Sequence, residues 1–159
     1  MIADGSRVVI RGLRSAAEHN GKEGVCLSFE PMSNRYLVSL HPEITTISVR
    51  SENLLPSIAV TIADVQNRGS VNGCVGRVVG ADDTTGRYHV SVQGQVLALT
   101  PANVVLPRGS RARIIGLQSS AHHNGRLGLI TDVDKEAKRY LIQLDDQHSL
   151  RVKWDNVWL

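Results

Sequence analysis

The feature that most constrains the fold of this chain is an internal triplication. Shifting the sequence by 104 positions places residues 5–24 on residues 109–128, and 12 of these 20 aligned positions are identical. Half that shift, 52 positions, places the Arg-Tyr pair at 35–36 on the pair at 87–88 and reveals a more diverged middle copy. Each copy ends in an apolar alternation that contains an asparagine. The copies therefore divide the chain into repeats 1, 2 and 3, at residues 1–57, 58–107 and 108–159.

All three repeats contain the pattern Asn-Gly-x-x-Gly. It occurs in "AAEHNGKEG" of repeat 1, "GSVNGCVG" of repeat 2 and "SAHHNGRLG" of repeat 3. Asn-Gly is the favoured pair where both central residues of a tight turn need positive φ, so the pattern predicts an architectural turn. The second glycine predicts a bulge or a close backbone approach at a strand start. The glycines at this position are Gly24, Gly76 and Gly128.

The pattern of each repeat predicts short β-strands separated by turns. The most regular strand of repeat 1 alternates, so that Tyr36, Val38 and Leu40 share one face, which we expect to point inward. Five short strands in about fifty residues predict a small sheet that closes into a barrel and hides its edges. The connections "LPSIA" and "LPRGS" are short, which predicts three closely packed units rather than beads on a flexible string.

The repeats resemble a known kind of small β-barrel. The runs "GSRVVIRGL", "HNGKEGVCLSF" and "NRYLVSL" of repeat 1 are similar to SH3-like barrels of the KOW-like kind. They are especially similar to the "GL…NGxxG…RYxV…N" repeats of algal and protist proteins, which sometimes stand beside ankyrin or MYND modules. The resemblance covers all three repeats and implies an all-β array of three tandem SH3-like barrels. It implies little about function, because such barrels serve ribosomes, transcription factors, photosystem subunits and cytoskeletal adaptors.

Composition predicts a folded protein that does not enter a membrane. Hydrophobic residues make up 42% and charged residues 21% of the chain, as in ordinary globular proteins. We expect no membrane insertion and no removable signal, because no apolar run approaches the roughly 20 residues that span a bilayer. Cys26 and Cys74 have no metal-ligand spacing, so a reducing intracellular, cytoplasmic location is the default expectation.

No pattern in the chain predicts catalysis. It contains no phosphate-cradling glycine loop, no nucleophile elbow, no metal-ligand pair and no repeated carboxylate dyad. Cys26 aligns with Val78 and Ile130, which predicts a small buried hydrophobic residue rather than a nucleophile. We therefore predict a protein that is not an enzyme and needs no metal or cofactor.

The aromatic residues divide into core and candidate surface positions. Tyr36, Tyr88 and Tyr140 lie on the apolar face of the regular strand, so we expect them in the core with their hydroxyls reaching a rim or a backbone group. Trp158 aligns with apolar residues and is expected in the core or in a seam between units. Trp154 aligns with Ser51 and Pro101 in the other repeats, which predicts an exposed contact residue.

Charge singles out repeat 3. Repeats 1 and 2 are each neutral, whereas repeat 3 has nine basic and six acidic residues and carries the whole net charge of +3. Its basic residues, with the loop histidines, predict a partner-binding surface, and the matching loop of repeat 1 predicts a second. The first surface comprises Trp154, Lys153, Arg126, His122 and His123, and the second comprises Arg14, His19 and Lys22.

These observations predict a protein interaction or assembly module that makes contact through loops at the barrel ends and grooves between units. The alternative is an RNA-binding or ribosome-associated protein that uses the basic third repeat. Another interpretation of the loop histidines stays open, in which they only pack on their own repeat or face solvent. The sequence decides neither the partner nor the oligomeric state.

Overall fold

The computed structural model describes all 159 residues and is all-β, with three successive antiparallel sheets of five strands. Repeat 1 contains β1 (Arg7–Ile10), β2 (Glu23–Glu30), β3 (Arg35–Leu40), β4 (Thr46–Arg50) and β5 (Leu54–Pro56). Repeat 2 contains β6 (Ala59–Ile62), β7 (Val75–Asp82), β8 (Arg87–Val92), β9 (Gln95–Leu99) and β10 (Val104–Val105). Repeat 3 contains β11 (Arg111–Ile114), β12 (Leu127–Asp134), β13 (Arg139–Gln143), β14 (Ser149–Lys153) and β15 (Val157–Trp158).

The three sheets share one topology, which confirms the predicted fold class of three tandem barrel-like units. In repeat 1 the spatial order is β4-β3-β2-β1-β5, and repeats 2 and 3 reproduce it strand for strand. The first strand of each repeat thus lies between the second and the last, which curls the sheet upon itself. The only helices are one-turn 3₁₀ segments, and none has the length and hydropathy to cross a bilayer. They are Ala17–His19, Ser51–Asn53, Gly69–Val71, Pro101–Asn103, Ala121–His123 and Trp154–Asn156.

The Asn-Gly turn has a geometry other than the predicted one. Asn20 has φ of −61°, and only Gly21 is left-handed, at φ of +84°, so the expectation that both residues need positive φ is wrong. These angles are those of a type II turn. The asparagine is required instead for its side chain, because Asn20 accepts from the Leu13 N–H and donates to the Leu13 carbonyl, both at 2.9 Å. The same pair of bonds recurs in the other two repeats.

The second glycine of the turn is a close-approach position, as predicted. A Cβ atom on Gly24 would lie 2.7 Å from both the Ser39 carbonyl oxygen and the Val38 side chain. The equivalent glycines of repeats 2 and 3 are equally crowded. The bulge predicted as the alternative reason lies elsewhere, after Cys26 on β2.

The buried residues form two cores rather than three. Repeat 1 has a core of its own with eight buried residues, among them Tyr36 and Cys26. Repeats 2 and 3 share one larger cluster, which Val9 and Leu55 of repeat 1 join at its margin. The predicted burial of the three tyrosines and of Cys26 is confirmed, and burial raises the pKa of the Cys26 thiol to about 11, with a smaller contribution from Asp4.

Repeats 2 and 3 are joined by a reciprocal exchange of their C-terminal tails. The N–H of Leu106, next to the last residue of repeat 2, donates to the Tyr140 hydroxyl of repeat 3 at 2.9 Å. In return the N–H of Leu159, at the equivalent position of repeat 3, donates to the Tyr88 hydroxyl of repeat 2 at 2.9 Å. Trp158 stacks on Tyr88 with ring centroids 4.3 Å apart, which confirms its predicted place at a seam. The two repeats are thus related by an approximate two-fold axis.

One further contact agrees with this two-fold relation. The 3₁₀ turn Pro101–Asn103 of repeat 2 packs against its own counterpart, Trp154–Asn156 of repeat 3. Burial raises the pKa values of Tyr88 and Tyr140. In repeat 1 the Tyr36 hydroxyl accepts the N–H of Ile2, which is the position of Leu106 in the 104-residue shift, so this tyrosine is held by the segment before its own first strand.

Candidate functional site

The predicted loop of repeat 3 gathers its histidines and its arginine at one end of the barrel. The rings of His122 and His123 lie 4.0 Å apart, and the Arg126 guanidinium lies 3.3 Å from His123 Nδ1. The structure adds two residues that the sequence did not indicate. Asp145 lies 3.6 Å from Arg126 and 2.7 Å from His148 Nδ1, so much of the local positive charge is compensated.

We expect His123 to titrate below the ordinary histidine value. Desolvation of the ring lowers its pKa first, and His122, Arg126 and His148 lower it further. The folded pKa is therefore below the unfolded one, so the unfolded chain takes up the proton first as pH falls. The stability contributed by this group is present at neutral pH and is lost as pH falls through the unfolded value. Arg126→Gln should raise the midpoint, because it removes both a positive charge and a donor to the neutral ring.

The check is an NMR titration of the His123 Cε1 proton in the folded protein. Arg14→Gln, which changes an exposed arginine in repeat 1, is the matched control and should leave the midpoint unchanged. A His123 midpoint at or above that of the denatured chain would contradict the expectation.

The predicted surface of repeat 1 is only partly free. Lys22 is held by Glu43, with its Nζ 2.8 Å and 2.9 Å from the two carboxylate oxygens, and this contact lowers the pKa of Glu43. His19 is largely covered, and its Nδ1 is buried without a partner. Arg14 is exposed and makes no ion pair. The three residues thus share one barrel end, but only Arg14 presents an uncompensated charge.

Trp154 is not the exposed residue that the sequence predicts. Only 3% of it is accessible, and its ring lies 6.1 Å from that of Tyr140. The aligned Ser51 of repeat 1 is exposed, but in repeat 3 this turn packs against the matching turn of repeat 2 and is covered by it. Lys153 ends β14 and Trp154 follows it, at the opposite end of this strand from His148 and the His123 loop, so the structure does not bring the predicted surface together.

A groove that the sequence did not reveal runs along one side of the seam between repeats 2 and 3. It consists of two adjoining open cavities of about 340 Å³ and about 310 Å³, which share Thr61, Val105 and Lys135. Its larger section is mainly apolar and includes Val75, 68% exposed, and Val133 on the facing repeat. We call this feature the seam groove.

The smaller section of the seam groove is polar and lies beside Trp154. Lys138 of repeat 3 reaches across to Asp64 of repeat 2, with Nζ 2.7 Å from the carboxylate. Lys135 is exposed and makes no ion pair, which leaves one uncompensated positive charge at the junction of the two sections. The Nε1–H of Trp154 is buried at this wall and has no acceptor.

The sequence does contain a signal for this groove. Asp64 and Lys138 have φ of +54° and +52°, in the left-handed region that disfavours ordinary side chains. The other repeats have Gly12 and Gly116 at the first position, and Asn34 and Gly86 at the second. Positive φ is not confined to the groove, because Ile44 and Gln93 also have it, at +53° and +50°.

The seam groove is an open surface feature and not an enclosed pocket. The seam groove is open along its length and has one apolar section and one charged section. No group of three or more His, Cys, Asp or Glu side chains is arranged to hold a metal ion. Comparison with models of protein families and with curated proteins finds no match to this chain.

Proposed function

We propose that this chain is a protein interaction module and that the seam groove is its principal contact surface. The observation that carries the proposal is the apolar wall formed by exposed Val75 and half-buried Val133, placed beside the free charge of Lys135. Interfaces combine an apolar centre with a charged rim in this way. The tail exchange supports a fixed groove, because each repeat holds the other through a buried tyrosine.

The resemblance to KOW-like SH3-like barrels belongs to this proposal. Barrels of that kind serve many unrelated functions, so the resemblance supplies the fold, and the proposal rests on the groove at the seam of two repeats. In this view repeat 2 supplies half of the binding surface. The protein would act in the cell interior, where its two free thiols remain reduced.

Capture from a native lysate tests the proposed function. Intact protein is used as bait beside Val75→Arg, which places a charge on the apolar wall. Val96→Arg is the matched control, because Val96 is 60% exposed on β9 and does not line the seam groove. We expect the bait and Val96→Arg to retain the same proteins after nuclease treatment, and Val75→Arg to lose them. An unchanged set of proteins with Val75→Arg would overturn the proposal.

The second candidate function is RNA binding by repeat 3. Arg111 and Arg113 favour it, because they project from the outer face of β11, are exposed and make no ion pair. Binding through phosphate contacts would weaken steeply with salt. The test is filter binding of a structured RNA across salt concentrations, with Arg111→Glu/Arg113→Glu as the variant. Binding that is absent, or that does not vary with salt, would remove this candidate.

A further inference from the structure

The two-fold relation between repeats 2 and 3 creates two equivalent grooves, one on each side of the seam. Residues at aligned positions of repeats 2 and 3 occupy equivalent places in the two grooves. Lys135 in the seam groove corresponds to Asp83 on the other side. Leu106 likewise corresponds to Leu159. Repeat 1 of the same chain lies against one part of the second groove, at Asp83 and Leu159, whereas Leu127, the counterpart of Val75, stays 55% exposed.

Repeat 1 therefore shows how an occupant sits in such a groove. The Arg11 guanidinium lies 3.3 Å from the Asp83 carboxylate and 3.4 Å from the Leu159 carbonyl oxygen. Arg11 is partly covered in this position, and Val9, on the strand β1 that precedes it, joins the shared core. The occupant thus combines an apolar contact with one charge that is complementary to the groove.

The charge at this position is reversed in the seam groove. Lys135 stands where Asp83 stands in the occupied groove, so an occupant placed like repeat 1 must carry an acid where repeat 1 carries Arg11. A second copy of repeat 1 does not meet this requirement, because Arg11 would face Lys135 without a counter-charge. A nucleic acid satisfies the charge but leaves the apolar wall at Val75 and Val133 uncovered.

On the basis of the proposed function, we infer that the seam groove binds an extended protein segment in which carboxylates alternate with apolar side chains. The carboxylate pairs with Lys135, and the neighbouring apolar side chains cover Val75 and Val133. The bound segment continues past Lys138 toward Asn72, where the Trp154 indole forms the wall of the groove. The Asp64 to Lys138 ion pair keeps this end of the groove near neutral, so the selectivity for an acid rests on Lys135.

The probe is a fluorescein-labelled eight-residue peptide of alternating glutamate and valine. Its matched control has glutamine at each glutamate position. By fluorescence anisotropy we expect the glutamate peptide to bind about fivefold more tightly than the glutamine peptide. Lys135→Glu should reduce its affinity about tenfold or more, whereas Arg50→Glu, the same charge change on β4 of repeat 1, should not.

An NMR readout locates the site independently of affinity. The chain has two tryptophans, so an ¹⁵N correlation spectrum shows two indole N–H signals, which Trp158→Phe assigns. The glutamate peptide should shift the Trp154 signal and leave that of Trp158 in place. Because Trp154 is read in the unaltered protein, this measurement does not depend on whether a groove variant folds.

Three results would overturn the inference. They are equal affinity for the glutamate and glutamine peptides, binding unaffected by Lys135→Glu, and dimerisation of the chain that Val75→Arg abolishes in sedimentation velocity. The lysate experiment tests the proposed function separately. If Val75→Arg still loses partners from the lysate while the peptide result fails, the groove binds a different class of protein segment. If neither experiment responds, both proposals fail.

Discussion

Trp158→Ala is expected to lower the free energy of unfolding by about 3 kcal/mol, in the range for truncation of large aromatic residues. Trp158 belongs to repeat 3, but its ring stacks on Tyr88 of repeat 2 at 4.3 Å. Its backbone also sets the position of Leu159, which bonds to the same tyrosine. The substitution should therefore destabilise repeat 2 as much as repeat 3.

Urea unfolding followed by methyl NMR signals from each repeat measures this effect. Signals of Val90 in repeat 2 and Ile142 in repeat 3 should shift to lower urea together, whereas Val38 in the separate core of repeat 1 should move less. Trp158→Phe keeps an aromatic ring at the seam and should recover more than half of the loss. A loss confined to repeat 3 would contradict the shared core.

Gly24→Ala is expected to destabilise repeat 1 by about 3 kcal/mol, at the upper end of the usual cost of overpacking. The added methyl group would lie 2.7 Å from the Ser39 carbonyl oxygen, which belongs to the neighbouring strand and cannot rotate away. The measurement is chemical unfolding followed through the methyl signal of Val38.

Gly21→Ala in the same turn is the matched control for Gly24→Ala. A Cβ there meets nothing within 4 Å, and the cost is the left-handed backbone alone, at φ of +84°. That cost is about 1 kcal/mol. If the two alanine variants were equally stable, crowding would not be the reason for the second glycine of the motif.

The architecture of each repeat was predictable because its determinants are local and occur three times. The alternation at Tyr36, Val38 and Leu40 gives the buried face of β3, and the structure buries all three residues. The glycine at 24 was predicted for the right reason. The asparagine at 20 was predicted with the wrong dihedral angle, because its side-chain bonds to Leu13 join residues seven positions apart and leave no periodic signal.

The relation between repeats was not predictable in the same way. Whether Trp154 is exposed depends on the neighbour that covers it, and alignment with Ser51 reports only the environment of repeat 1. The pairing of Leu159 with Tyr88 joins residues 71 positions apart, through a backbone donor that any residue except proline has. Asp64 and Lys138 were visible in the alignment as departures, since each replaces a residue that tolerates positive φ in the other repeats.

The seam groove depends on the reciprocal exchange of tails between repeats 2 and 3, and hydrogen exchange tests that exchange directly. The Leu159 amide should exchange about a thousandfold more slowly than an unprotected amide, because the Tyr88 hydroxyl accepts its N–H beside the Trp158 ring that stacks on the same tyrosine. Tyr88→Phe should remove most of this protection and leave that of the Leu106 amide on Tyr140. A Leu159 amide that exchanges at the unprotected rate in the unaltered protein would contradict the account.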